Sequence, residues 1–135
     1  MPEDFVKQHP QAVGKLLRGL AKATVFGLTN PEAAIRNHWK MYPGTRPQGA
    51  DEAKLMPEAL RIFTSRFEGL KLRPGQTRWG ENVPAEWAGI VALAKHAGQV
   101  PEGFDIAGFY TNEFIDAANA FDRAAVVRQA KESKW

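Results

Sequence analysis

The stretch Ala23-Thr24-Val25-Phe26-Gly27-Leu28-Thr29-Asn30-Pro31-Glu32-Ala33-Ala34 carries a helix boundary in its second half. Asn30 can cap a helix amino terminus, and Pro31 fits the first helical position, where no backbone N–H is needed. Glu32 complements the positive end of the helix dipole. A helix therefore begins at this point. Upstream, Pro10 marks an earlier start, followed by Val13, Leu16, Leu17, Leu20, Thr24 and Leu28 at spacings of mostly three and four, which place them on one face of a long amphipathic helix. Lys15, Arg18 and Lys22 fall on the expected solvent side. Gly14 and Gly19 each lower helix propensity by roughly 1 kcal/mol relative to Ala, so packing must compensate.

Working downstream, the helix starting at Pro31 brings Ala34, Ile35, His38 and Trp39 near one side and ends before Tyr42-Pro43-Gly44, where proline and glycine stop it. Residues 43–49 read as a loop. Asp51 caps a third helix with Met56, Leu60, Phe63 and Phe67 as its buried stripe. Pro57 within it implies a kink or a true start near that residue. Residues 70–82 hold Pro74-Gly75 and no sustained period, so they read as a loop. Asn82-Val83-Pro84-Ala85-Glu86 starts a fourth helix, with Asn82 as its cap, Trp87, Ile90, Val91 and Ala94 on one face, and Gly98 beyond its end. Short helical turns are expected over 105–109 and 111–118. Asp122 then caps the last helix, whose inner stripe is Val126, Val127 and Ala130. No alternating strand pattern or internal repeat competes with this assignment. The expectation is an all-α single domain over residues 1–135 with about five main helices.

The chain's 135 residues suit one domain, and a globule of this size ordinarily buries about two-thirds of its unfolded surface. A hydrophobic fraction of 44% with 24% charged residues excludes a wholly disordered polar chain. The net charge of +3 is unevenly spread: residues 1–50 hold seven Lys/Arg against three Asp/Glu, and residues 101–135 hold four against six. That is polarity along the chain, without the basic cluster that phosphate backbones demand; no nucleic-acid partner is expected. With no cysteine, disulfides, thiolate zinc sites and a cysteine nucleophile are excluded by count. No apolar run approaches the roughly 18 residues of a membrane span, and Met1-Pro2-Glu3-Asp4-Phe5 has neither the basic segment nor the apolar stretch of a secretory signal.

Residues able to do chemistry are scattered. His9, His38 and His96 fall on separate elements without the paired spacing of a helical zinc motif. His9 and His96 suit helix ends, and His38 suits packing beside Trp39. Glu113 and Asp116 share a helical side, but a dipole role at a helix start explains Glu113 more simply than acid/base work. Ser65 and Ser133 lack a nucleophile-elbow context. No catalytic residue, metal ligand or cofactor is assigned, and no enzymatic activity is expected. The weak candidates for ligand contact are Trp79, Glu81 and Asn82, in the loop Thr77-Arg78-Trp79-Gly80-Glu81-Asn82, which combines an aromatic face, a cation, a carboxylate and an amide. The structural alternative is that Trp79 anchors this loop on the helical layer while Asn82 caps the next helix.

The 23–34 segment, together with Tyr110-Thr111-Asn112-Glu113-Phe114-Ile115-Asp116 and Ala120-Phe121-Asp122, resembles the carboxy-terminal part of ABC-importer substrate-binding proteins. The resemblance is to the nitrate/sulfonate/taurine type and its relatives that bind the pyrimidine precursor of thiamine, and it covers nearly the whole chain. It implies the helical section of a type-II periplasmic binding protein, a periplasmic location and contact with an ABC permease through the parent protein. Such proteins have two α/β lobes and about twice this length, with ligand contacts mostly outside the helical tail. A family relative that makes the thiamine pyrimidine carries a cysteine-rich motif that this chain lacks. The resemblance thus implies a partial receptor: a processed chain, a truncated reading frame or an excised fragment. Its uncovered apolar faces would meet a missing α/β half or another copy, in a homo-oligomer. The alternative is a helical interaction or oligomerisation module with no solute binding of its own.

Overall fold

A computed structural model describes residues 1–133. Among them all regular structure is helical: α1 (Glu3–Gln8), α2 (Pro10–Thr29), α3 (Pro31–Met41), α4 (Glu52–Phe67), α5 (Pro84–His96), α6 (Ile115–Asn119) and α7 (Arg123–Glu132), with short 3-10 turns at Pro43–Thr45, Glu68–Leu70 and Ala107–Phe109. The all-α expectation is met, and the five main helices become seven. The additions are α1, whose amino-terminal acids Glu3 and Asp4 and the pair Lys7 to Glu3 at 2.7 Å suit a short helix, and α6, which occupies part of the turn expected over 111–118. No helix among the described residues is long and apolar enough to cross a membrane.

Capping follows the sequence closely at three starts. Side-chain oxygens of Asn30, Asp51 and Asp122 accept from the backbone N–H groups of Ala33 at 3.1 Å, Lys54 at 3.2 Å and Ala125 at 3.0 Å, filling donors that the first helical turn leaves open. The fourth start differs. The capping position of α5 is Val83, with no side-chain bond, because the helix begins at Pro84 and Asn82 lies one residue too far upstream. Pro57 sits inside an unbroken α4, so no new helix starts there.

The long helix α2 is the axis of the fold, with α3, α4, α6 and α7 packed along it. Its buried residues are Val13, Gly14, Ala21, Val25 and Gly27, whereas Leu16 and Leu20 are 52% and 57% exposed. This corrects the expected face. Small residues face inward because neighbouring elements approach closely: a Cβ at Gly14 would lie 3.0 Å from Cβ of Ala117 on α6, and one at Gly27 would lie 2.8 Å from the Phe67 ring on α4. Arg18 is also displaced from its expected solvent face. It is half-buried and its Nε donates to the Ala117 carbonyl at 2.9 Å, a cation at the carboxyl end of α6. The α2–α3 junction is tied to the last helix where Asn30 Nδ2 donates to the Ala130 carbonyl at 2.8 Å.

The core formed this way is small. It comprises Val13, Ala21, Val25, Ala33, Ile35, Met56, Ile115, Ala118, Val126 and Ala130. The accessible surface is 9703 Å² at 15.0 kDa, whereas a compact monomer of that mass exposes roughly 7000 Å². The excess is roughly 2700 Å², and the fraction buried falls to about 55% against the expected two-thirds. Large apolar side chains contribute to it: α5 contains no buried residue, and Ile90 and Leu93 on it are 56% and 70% exposed.

Candidate functional site

Trp79, Glu81 and Asn82 lie together, on a loop fastened to the segment around α6. Asn119 on α6 makes the principal fastening: its Oδ1 accepts from the Trp79 backbone N–H at 2.9 Å, and its Nδ2 donates to the Trp79 carbonyl at 3.1 Å. The side-chain amide thereby imitates a strand partner for a single residue. The Trp79 ring has the Arg123 guanidinium 5.7 Å from its centroid, close enough for a cation–π contact. Arg78 pairs with Glu81 and, at 3.0 Å, with Asp116. The Glu81 hydrogen bond is the main cause that holds the Arg78 guanidinium above its ordinary pKa.

Asn82 closes a neck. Its backbone N–H donates to Asn112 Oδ1 at 2.9 Å, and Asn112 Nδ2 returns a bond to the Asn82 carbonyl at 2.8 Å. The Asn82 side chain also accepts from Trp87 Nε1 at 3.1 Å and donates to the Thr111 carbonyl at 3.3 Å. Trp87 in turn stacks on Tyr110 with ring centroids 5.5 Å apart. Residues 83–111 thus leave the helical body as an arm and return to it at this neck, with the Arg73–Glu86 ion pair as a further tie near the start of α5.

The loop borders an open cleft of about 730 Å³, whose other wall includes Leu17, Leu20 and Thr24 of α2. Its size suits a small molecule, but the polar side chains a ligand would need are engaged: Glu81 by Arg78, and Asn82 by Asn112, Thr111 and Trp87. A site for polar solutes orients its ligand with converging free donors and acceptors. Here those donors and acceptors hold the loop. Elsewhere, His38 is exposed and tilted against Tyr42, 5.2 Å between centroids, rather than taking part in the core. Among the described residues no group of three or more metal-ligating side chains converges.

A second concavity is larger and was not legible in the sequence. Between α2, α3, α4 and α7 runs an open groove of about 1040 Å³, floored by Phe26, Phe63 and Phe67 and rimmed by Lys22, Lys54 and Arg66. Phe63 and Phe67 stack at 3.9 Å, against Gly27. Their four-residue spacing signals a shared helix face, but the groove exists only once α2 and α3 are placed beside α4. Comparison of the chain with protein-family models, curated proteins and solved structures returns no match.

Proposed function

We propose that this chain is a helical docking layer of an ABC-importer solute receptor, which supports an α/β lobe and does not capture solute by itself. The carrying observation is the excess of roughly 2700 Å² over a compact monomer, with Leu16 and Leu20 turned outward along the central helix. A layer designed to stand alone would turn its larger apolar residues inward. The receptor identity rests on the resemblance of segments 23–34, 110–116 and 120–122, and these segments supply core residues: Val25, Ala33 and Ile115 are buried. In this proposal the complete receptor works in the periplasm, closing two lobes around a small solute such as nitrate, a sulfonate, taurine or the thiamine pyrimidine precursor. The helical layer stiffens one lobe and reaches the permease only through that parent protein.

Calorimetric titration of the isolated chain with these four solute types tests the division of labour. No saturable heat is expected, because an open cleft whose polar groups are already paired encloses little of a ligand. Saturable binding at low micromolar concentration would overturn the proposal in favour of a self-sufficient receptor. A second reading, a helical module that associates with its own copies, is favoured by the projecting arm at 83–111 and the groove.

A further inference from the structure

We propose that the arm at residues 83–111 docks in the groove of a second copy of this chain, and that the exchange is reciprocal, giving a closed two-fold dimer. The inference rests on the reading of the chain as a self-associating module and assigns its two contact surfaces. The arm is joined to the body at the Asn82–Asn112 neck and presents apolar side chains outward: Ile90, Leu93 and Phe109, the last 71% exposed. Its acids outnumber its bases, with Glu86, Glu102 and Asp105 against Lys95. Glu86 is paired with Arg73, whereas Glu102 and Asp105 have no ion pair among the described residues. The groove offers the complement, an aromatic floor with Lys22 and Arg66 on its rim, while the one acid of its lining, Glu58, is already paired with Arg61. Neither Lys22 nor Arg66 has an ion pair among the described residues.

Area favours a second copy as the occupant. Covering the excess surface in a two-fold dimer buries roughly 2700 Å² per copy, well above the approximately 800 Å² per partner of a standard stable interface. Reciprocity satisfies both arms and both grooves at once, and two-fold closure leaves no free surface for an open chain of copies.

Sedimentation velocity of paired charge-reversal variants tests this. Lys22→Glu with Arg66→Glu sets an acidic rim against an acidic arm, and Glu102→Lys with Asp105→Lys sets a basic arm against a basic rim. Each double variant alone is expected to dimerise at least about tenfold more weakly than the wild type. Mixed, the two variants present opposite charges at both contacts and are expected to recover a dimer. Leu93→Asp, on an exposed face, is expected to weaken the dimer while circular dichroism stays unchanged. A wild-type dimer indifferent to all these changes, or a mixture that stays monomeric, overturns the arm exchange but leaves association through another face intact. A wild-type chain that is monomeric throughout overturns the exchange and the self-association reading together, with concentration-independent compaction assigning the groove to the chain's own arm.

Discussion

Replacing Val25 by Asp is expected to abolish cooperative thermal unfolding of the isolated chain. Val25 is only 3% exposed on the helix against which α3, α4, α6 and α7 all pack. A carboxylate there loses its hydration with no buried polar residue to receive it, since no polar or charged side chain is buried among the described residues. The penalty is several kcal/mol, set against a total of roughly 5–15 kcal/mol for an ordinary domain. This chain buries less surface than such a domain, so its margin is smaller. Circular dichroism during heating should show weak, non-cooperative helix loss in Val25→Asp. In Val25→Ala, which leaves only a small cavity, the transition should survive at lower temperature. A sharp transition for the Asp variant within a few degrees of wild type would show that α2 is not the axis of the core.

Asn119→Ala is expected to release the 77–82 loop while the helical body stays folded. Three bonds disappear with the amide: those to the Trp79 N–H and carbonyl, and the bond from Nδ2 to the Ile115 carbonyl at 2.8 Å. The Trp79 peptide is partly buried, so its groups are left poorly satisfied, at a cost of about 2–3 kcal/mol. If that energy resides in local opening, the Trp79 amide should exchange with solvent faster by on the order of a hundredfold. Amide exchange followed by NMR reads this directly, with the Val25 amide as an internal control. Unchanged exchange at Trp79 would mean that the ring contacts, rather than the amide, hold the loop.

The local signals in the sequence were legible where the partner lies three residues away. Asn30, Asp51 and Asp122 are such cases, each a short polar side chain bonding to its own helix. Legibility fails where the partner is distant. Asn82 has the composition of a cap, yet its bonds run to Thr111 and Asn112, about thirty positions along the chain. Arg18 looks like a solvated cation and instead meets a carbonyl on α6. The apolar period of α2 correctly marked a helix, but a period weighs leucine above glycine and assigned Leu16 and Leu20 to the core. Close helix crossings reverse that weighting at Gly14 and Gly27, because a smaller residue permits the approach. Trp79, Glu81 and Asn82 are neighbours by sequence alone; which of their donors and acceptors stay free is a tertiary property that no local pattern encodes. The groove is likewise made by α2, α3, α4 and α7 together, and no single segment signals it.

The central claim is that this chain is a docking body whose outer apolar faces are completed by contact with another polypeptide surface. Sedimentation equilibrium of the unmodified chain across a wide concentration series tests it most directly in the absence of a partner. The account predicts an apparent mass that rises reversibly above 15.0 kDa with concentration, as exposed apolar surface is covered. A constant monomer mass at every concentration, with the helical spectrum intact, would contradict it.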